Sequence, residues 1–575
     1  MSGQSEIELK FLVPRNARAA ILAEMTRKSA SLERRSLAAL YLDTPDRRLA
    51  KAGVAWRLRR EGRRWVQTLK SGGTSAIERF EHEVIRPGPS PDPAAHAGTT
   101  TGDKLAKILR NAQKDGLDAG IRFKTEVRRI ARRIRTQGAV VEVAFDEGSL
   151  LANDARLRIR EIEFELVSGS ATGLVALAER WRKRFGLIYD PRSKAARGDR
   201  LAEGSPFPPL RKAADPEYAG DADVVEAFGK VLDECLAHIS GNAIGLVDGD
   251  EGLRVEHVHQ LRVGIRRLRS ALRSFRGWVP PPPEPLVDEL KQLFSELGKA
   301  RDSDVLDSGV VAELAKVNAP SLTMPKREAG PDPVATVGST DTQKTLLAWL
   351  AWRVELLDAT WVTTAPAPGA APVIAAATTS AGTAVEADGA VPADATPAAA
   401  DEAAGAGGVD PADEQRAVGA LQEQPLEATD PAPLAQVDLD RERDNGESFQ
   451  RKAQRRLGKW HRQIVAAWKA FDELEEEDLH SLRKHIKRQR YAVEFFAPVL
   501  RRRDVERYLK PLAAIQDRMG ELNDLFVARS RYQALVSSDP AAWFALGWLA
   551  ARVADARTMA KPELKLLAKT DPPGR

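Results

Sequence analysis

The segment Glu6-Ile7-Glu8-Leu9-Lys10-Phe11 sets two carboxylates and an ammonium at every second position, with apolar residues between them. Side chains of a strand alternate between its faces, so Glu6, Glu8 and Lys10 share one face and Ile7, Leu9 and Phe11 the other. Hard divalent cations take carboxylate oxygens, and phosphate takes ammonium groups. The chemistry this arrangement serves is a metal-phosphate site on a sheet. An exposed strand with a mixed-charge face would show the same six residues; recurrence separates the two readings. Arg57 and Arg59 alternate with Trp56 and Leu58, Thr68 and Lys70 flank Leu69, and Arg79, Glu81 and Glu83 alternate with Phe80, His82 and Val84. Arg122, Lys124, Glu126 and Arg128 follow at the same spacing. Then come Glu142, Ala144 and Asp146 against Val141, Val143 and Phe145, and Glu161, Glu163 and Glu165 against Ile162, Phe164 and Leu166.

The elements that must position these residues are many short strands, each with one apolar and one charged face, separated by turns such as Glu61-Gly62 and Ser71-Gly72-Gly73. That is the signature of an antiparallel sheet. The acids lie at both ends of this region and the bases in the middle. A closed barrel brings first and last strands together and points all the charges into one lumen. Like charges crowded there repel unless counter-ions bind, so the acids call for a divalent metal and the bases for a polyanion.

Glu6-x-Glu8-x-Lys10 resembles the ExExK signature of the CYTH superfamily, the triphosphate tunnel metalloenzymes. The resemblance covers about 200 residues. It includes Tyr41-Leu42-Asp43-Thr44, Trp56-Arg57-Leu58-Arg59, Thr68-Leu69-Lys70, Arg79-x-Glu81-x-Glu83, Lys124 with Arg128, Glu142 with Asp146, Glu161-x-Glu163-x-Glu165 and Ser193-Lys194, all in order. It implies an eight-stranded antiparallel tunnel that holds a triphosphate-containing substrate with Mg²⁺ or Mn²⁺. By the same resemblance Glu6, Glu8, Glu161 and Glu163 hold the metal, and Glu142 and Asp146 add ligands or orient the attacking water. Lys10, Arg57, Arg59, Lys70, Arg79, Lys124, Arg128 and Lys194 bind phosphate oxygens. Arg156, Arg158 and Arg160 lie on opposite parity to Glu161. A bulge or strand start is therefore expected near them, which leaves open which of Glu161, Glu163 and Glu165 are ligands.

The rest of the chain is helical in pattern. Val258, Leu261, Ile265, Leu268, Leu272 and Phe275 recur at three and four residues, and His259, Arg262, Arg266, Arg269 and Arg273 form a basic stripe beside them. The stripe returns around Leu479–Arg488, where His480, Arg483, Ile486 and Lys487 align with His259, Arg262, Ile265 and Arg266. Gly298 aligns with Gly520, and the run from Leu347 to Val354 with that from Leu546 to Val553. A helical unit is duplicated. The repeated His-x-x-Arg-x-x-x-Arg/Lys stripe resembles CHAD, the conserved histidine α-helical domain, which commonly follows CYTH. The resemblance implies two related four-helix bundles that bind long-chain polyphosphate through His259, Arg262, Arg266, Arg269, His480, Arg483, Lys484 and Lys487. With no histidine four residues away on either helix and no nearby cysteine, hydrogen bonding or phosphate contact fits the histidines better than metal ligation.

The expected organisation is therefore α+β and multidomain. Residues 1–204 form the tunnel, 205–217 a linker, and 218–317 with 343–363 the first helical half, interrupted by a loop insertion at 318–342. Residues 364–446 are rich in Ala, Gly, Pro, Asp and Glu without an aromatic residue and are expected to be disordered; 447–565 form the second half. The whole tunnel precedes the linker, so it is expected to carry the reaction by itself.

The formal charge of +5 includes the acidic tract, so it understates how basic the folded parts are. The bases form strand faces and helix stripes without aromatic platforms between them, which favours polyphosphate over nucleic acid. One cysteine, Cys235, fits a reducing compartment. No leader-like segment and no apolar run of membrane-spanning length is evident, so a cytoplasmic location is expected, with no membrane partner. The leading reading is a metal-dependent inorganic triphosphatase with a polyphosphate-binding helical domain. A CYTH enzyme for another triphosphate (ATP in an adenylate cyclase, or thiamine triphosphate) and a non-catalytic polyphosphate-targeting protein are the alternatives. Two retained acidic clusters weigh against the last, because unmetallated carboxylates would hinder a pure polyanion binder.

Overall fold

The computed structural model describes residues 4–27, 31–72, 77–136, 138–320, 330–358 and 447–574. The expected disordered tract lies outside these residues.

The N-terminal part is a closed antiparallel barrel. Its strands are β1 (Gln4–Leu12), β2 (Glu33–Asp43), β3 (Val54–Glu61), β4 (Arg64–Gly72), β5 (Glu78–Arg86), β6 (Gly120–Thr136), β7 (Ala139–Ala152) and β8 (Ala155–Gly169). They run in the order β5-β4-β3-β2-β6-β7-β8-β1, and β5 pairs back onto β1 to close the circle. A short β9 (Ile188–Tyr189) adds to the end of β1. Helices α1 (Arg18–Met25), α2 (Arg48–Lys51), α3 (Thr100–Lys114) and α4 (Ala171–Phe185) decorate the barrel, and α5 (Lys194–Ala202) ends the domain.

Alternation works as expected along β1. Leu9 and Phe11 are buried in the core outside the barrel with Phe145, Phe164 and Trp181, while Glu6, Glu8 and Lys10 face the lumen. The lumen is not polar throughout. Tyr41, Phe123, Val127, Leu150 and Ile159 form a separate apolar cluster with Leu201 of α5. There the helix approaches the wall so closely that a Cβ on Gly198 would collide with the Phe123 ring. Apolar lumen residues set the parity of β6 and β8 and change the expectation for β6. Thr125, Val127 and Arg129 share the lumen side of β6, whereas Lys124 and Arg128 are exposed on the opposite face. In β8 the inward series runs Leu157, Ile159, Glu161, Glu163, Glu165 without interruption. The strand start expected near Arg156 is found at Ala155; no bulge falls between Arg156 and Glu161, and the register shift lies opposite Val140 and Val141.

The C-terminal part is all-helical: α6 (Val224–Val247), α7 (Arg254–Ser274), α8 (Glu284–Lys316), α9 (Pro333–Gly338) and α10 (Thr340–Asp358), then α11 (Phe449–Lys469), α12 (Glu476–Phe496), α13 (Arg502–Leu535) and α14 (Ala542–Lys569). The duplication pairs α7 with α12, α8 with α13 and α10 with α14. Part of the expected 318–342 loop is structured: Asp332 caps α9 with its side chain, and α10 already begins at Thr340. The two halves meet through Phe275, Phe449 and Phe496, whose ring centroids are 5.3–5.8 Å apart, and through an Arg267–Glu494 ion pair of 2.9 Å. The linker residue Arg211 lies on α6, bonded to Glu234 at 2.6 Å. One apolar core continues from the outer face of the barrel through both helical halves. No helix among the described residues is long and apolar enough to cross a membrane.

Candidate active site

The charged lumen residues fall into two sets. In the deeper set, Lys194 at the start of α5 lies among three carboxylates. Its Nζ is 2.7 Å from Asp146, 2.5 Å from Glu161 and 2.8 Å from Glu163. Arg129 makes a two-pronged pair with Asp146, both bonds 2.7 Å, and also reaches Glu163. Arg197, one turn along α5, binds the other Glu161 oxygen at 2.6 Å. These acids are heavily neutralised. Burial acts to raise Asp146 and Glu163, but Arg129 and Lys194 outweigh it, leaving Asp146 below the ordinary carboxylate range and Glu163 well below it. Burial likewise acts against the Lys194 charge, yet the three carboxylates hold its pKa well above the usual lysine value.

The second set joins β1, β3, β4 and β5. Glu8 accepts from Arg79 at 2.7 Å, Glu6 from Lys70 at 3.0 Å, and Lys70 also pairs with Glu81. Arg57 donates to Thr68 at 3.1 Å and lies 3.5 Å from Glu81; Arg59 is 3.4 Å from Glu83. Lys10 is 3.8 Å from Glu163 and connects the sets. Here burial is offset unevenly. Burial, reinforced by Glu81 and opposed by Lys70, pushes Glu6 up to about 9, while hydrogen bonding with Glu6, followed by Lys70 and Arg57, brings Glu81 down to about 2 despite its burial. Burial, countered by Lys70 but aided by Glu142 and Glu81, pushes Glu165 up to about 7. Glu8 stays below its ordinary value because Lys10, Lys70 and Arg79 together outweigh its burial.

This imbalance bears on where a cation fits. Oxygens of Asp146, Glu161 and Glu163 lie within 4.8 Å of one another, as divalent ligands would, but the Lys194 ammonium already occupies their convergence. Burial favours the protonated forms of Glu6 and Glu165, and Glu8 and Glu165 are direct partners in the β1–β8 register. Glu6 and Glu165 are thus the carboxylates least offset by positive charge, and with the ionised Glu8 beside them they are the group a hard cation fits best. Glu142, opposite Glu165 in the β7–β8 register and 3.6 Å from Arg133, borders them.

The structure brings together Glu6, Glu8, Lys10, Arg57, Arg59, Lys70, Arg79, Asp146, Glu161, Glu163 and Lys194, with Glu142 at their margin. It places Lys124 and Arg128 outside the lumen. Arg129, Arg197 and Glu83 were not singled out by sequence reasoning as site residues.

On the helical domain, Arg266, Arg269, Arg483, Lys484 and Lys487 are half-buried along α7 and α12. Arg262 is buried and stacks 4.8 Å over the Phe294 ring, so it does not project outward as the stripe implied. His480 Nδ1 lies 3.1 Å from Asn523 Oδ1, tying α12 to α13; His259 is half-buried. Arg488 sits 4.3 Å over Trp460, and its burial, with Arg273 nearby, lowers its pKa to about 10.

Residues 4–198 match the CYTH domain and residues 230–533 the CHAD domain. The chain belongs to the CYTH–CHAD proteins. It is 30% identical over 161 residues to an inorganic triphosphatase of Haemophilus influenzae, an alignment that takes in 28% of this chain and 44% of that protein. The chain thus matches less than half the length of this curated relative. Among solved structures it is similar to the CHAD domain of the plant Ricinus communis, with 23% identity, 64% of this chain and 98% of that one covered, and a TM-score of 0.39. It is also similar to a putative adenylyl cyclase from Hippeastrum described as having a dominant triphosphatase activity, at 20% identity, with 35% and 96% covered and a TM-score of 0.23. CYTH membership implies dependence on a divalent metal.

The raised carboxylates give a stability prediction. Glu6 titrates near 9 when folded against an ordinary 4.5, so between those values the folded state binds a proton that the unfolded state releases. Stability of the metal-free protein then falls as pH rises through this window. In chelator, Glu6→Gln should flatten the fall and exceed the parent at about pH 9 by about 1 kcal/mol or more, or roughly 2–4 °C. Thermal unfolding across pH measures both. A variant that melts with the parent at every pH contradicts the assigned environment of Glu6.

Proposed function

We propose that this CYTH–CHAD protein hydrolyses inorganic triphosphate in its β-tunnel, with Mg²⁺ or Mn²⁺, and binds long-chain polyphosphate on its helical domain. The observation that carries the first part is the lumen itself: the raised carboxylates Glu6 and Glu165 and the ionised Glu8 stand beside Lys10, Arg57, Arg59, Lys70 and Arg79. Glu6, Glu8 and Glu165 would hold the metal, with Glu163 between the two sets as a further candidate; the metal supplies charge neutralisation at the phosphates and polarises the bond to be cleaved. Lys10, Arg57, Arg59, Lys70 and Arg79 bind the phosphate oxygens and stabilise charge on the leaving phosphate. Glu142, half-buried beside Glu165, orients the attacking water. Lys194 and Arg129 hold Asp146, Glu161 and Glu163 in place and keep that wall rigid. No covalent nucleophile is called for.

Phosphate release from triphosphate, ATP, thiamine triphosphate and long-chain polyphosphate, each with Mg²⁺ and Mn²⁺, tests the reading. Triphosphate should be turned over most efficiently, and only with metal. Equal turnover of ATP, or turnover in chelator, would replace it.

For the helical domain, a dense polyanion carries condensed counter-ions, so its binding weakens with salt as that of nucleic-acid backbones does. Replacing Arg266, Arg269, Lys484 and Lys487 with Ala should reduce the slope of log affinity against log salt by roughly 2–3. Triphosphate hydrolysis should be unaffected. Arg262 is left out because its loss would also remove packing on Phe294. If the quadruple variant keeps the parental slope, measured by titration with long-chain polyphosphate, the stripes do not bind it.

A further inference from the structure

The short connection between β9 and α5 is gripped from two sides. On the tunnel side, the Asp190 amide donates to the Lys10 carbonyl at 3.0 Å. The Arg192 carbonyl accepts from Lys10 Nζ at 3.2 Å and the Pro191 carbonyl from Arg79 Nη2 at 3.4 Å. Two residues further on, Lys194 enters the cluster of Asp146, Glu161 and Glu163. Residues 189–194 thus fix three cations of the lumen: Lys10, Arg79 and Lys194.

The opposite side of the same strap belongs to the helical domain. The Tyr189 amide donates to Gln343 Oε1 at 2.8 Å, and Gln343 Nε2 donates to the Val337 carbonyl at 2.9 Å. Gln343 is 2% exposed and lies in the first turn of α10. Arg192 is folded onto the fully buried Asp190 by bonds of 2.8 and 2.9 Å, and its Nη2 reaches Asp248, at the end of α6, at 2.6 Å. A buried amide left without its acceptor is costly, so a strap deprived of Gln343 has reason to move toward water. Its carbonyls would then leave the two lumen side chains they hold.

We propose that Gln343 and Asp248 are positioning residues for the tunnel: acting through the strap, the helical domain sets where Lys10, Arg79 and Lys194 stand. The expectation that the tunnel carries the reaction unaided is thereby replaced by one in which its geometry depends on the helices. The proposal rests on the triphosphatase reading for its kinetics, but not for its geometry.

The test uses the full chain. Gln343→Met keeps length and removes both hydrogen bonds; Asp248→Ala removes the half-exposed carboxylate, and Asp248→Asn retains an acceptor oxygen. A misplacement of this kind costs up to about 100-fold in rate. The first two variants should raise KM for triphosphate roughly 5- to 50-fold, with kcat falling less, and Asp248→Asn should recover part of the loss. Long-chain polyphosphate binding should stay at the parental level. Kinetic constants within twofold of the parent for both Gln343→Met and Asp248→Ala would overturn the proposal. So would an equal loss of long-chain polyphosphate binding, which would make the two residues general supports of the helices. If the parent itself releases no phosphate, the triphosphatase reading fails by itself. Calorimetric titration with triphosphate in chelator then decides: weaker binding by the variants upholds the coupling, and unchanged binding ends it.

Discussion

Glu8→Gln is expected to reduce phosphate release from triphosphate by roughly 100-fold or more at saturating Mg²⁺, with the fold intact. Glu8 is mostly buried, stands next to Lys10 on the lumen face of β1 and has Arg79 as its hydrogen-bonded partner at 2.7 Å. Gln preserves shape and an acceptor oxygen for Arg79, so packing and unfolding temperature should change little. What it removes is the charge that stays ionised in an acid-rich wall, held there by Lys10, Lys70 and Arg79. Steady-state turnover and thermal unfolding of the same preparation separate the two effects. Near-parental turnover at saturating metal would remove Glu8 from the metal site.

The largest stability effect is expected at Lys194. Its ammonium is the shared partner of three carboxylates, two of them fully buried. Removing one member of a buried ionic cluster costs about 3–5 kcal/mol, because the remaining charges stay desolvated and repel. Lys194→Met keeps the bulk of the stem and should lower the melting temperature by roughly 10 °C. The three oxygens left within 4.8 Å of one another then have a divalent cation as their best substitute. Added Mg²⁺ should therefore restore much of the variant's stability. A melting temperature equal to the parent's in chelator would mean that the cluster is not sustained by Lys194.

The sequence reveals those parts of the tunnel where charge and apolarity alternate cleanly. On β1, β3, β4 and β5 one parity is charged and the other apolar, so Glu6, Glu8, Lys10, Arg57, Arg59, Lys70 and Arg79 could be assigned to one face from spacing alone. On β6 both parities carry cations. Choosing Lys124 and Arg128 over Arg129 assumed a lumen that is polar along its whole length, but α5 fills part of it with apolar contacts to Phe123 and Val127. On β8 the opposite parity of Arg156, Arg158 and Arg160 pointed to a bulge or a strand start, and the strand does begin at Ala155. In the helical domain the duplication was legible because it repeats residue types at fixed offsets. Arg262 was misplaced because a guanidinium stacked on Phe294 is indistinguishable in sequence from one facing water. Gln343 and Asp248 carry no sequence signal: a neutral amide and a helix-end aspartate acquire meaning only when the fold brings them to a strap that lies 154 and 56 positions away in the chain.

The apolar core that runs unbroken from Phe11, Phe164 and Trp181 into both helical halves has a consequence for how such a chain can be taken apart by inheritance. Two modules joined by a tether can be shuffled freely, since neither surface has been shaped by the other. Here a tunnel shed of its helices would turn the α10-facing side of α4 toward water and leave the Tyr189 amide to find a new acceptor. A foreign helical domain would have to bring a matching apolar ridge and an acceptor for that amide. The unit that recombination can exchange without further substitutions is the pair, not either half.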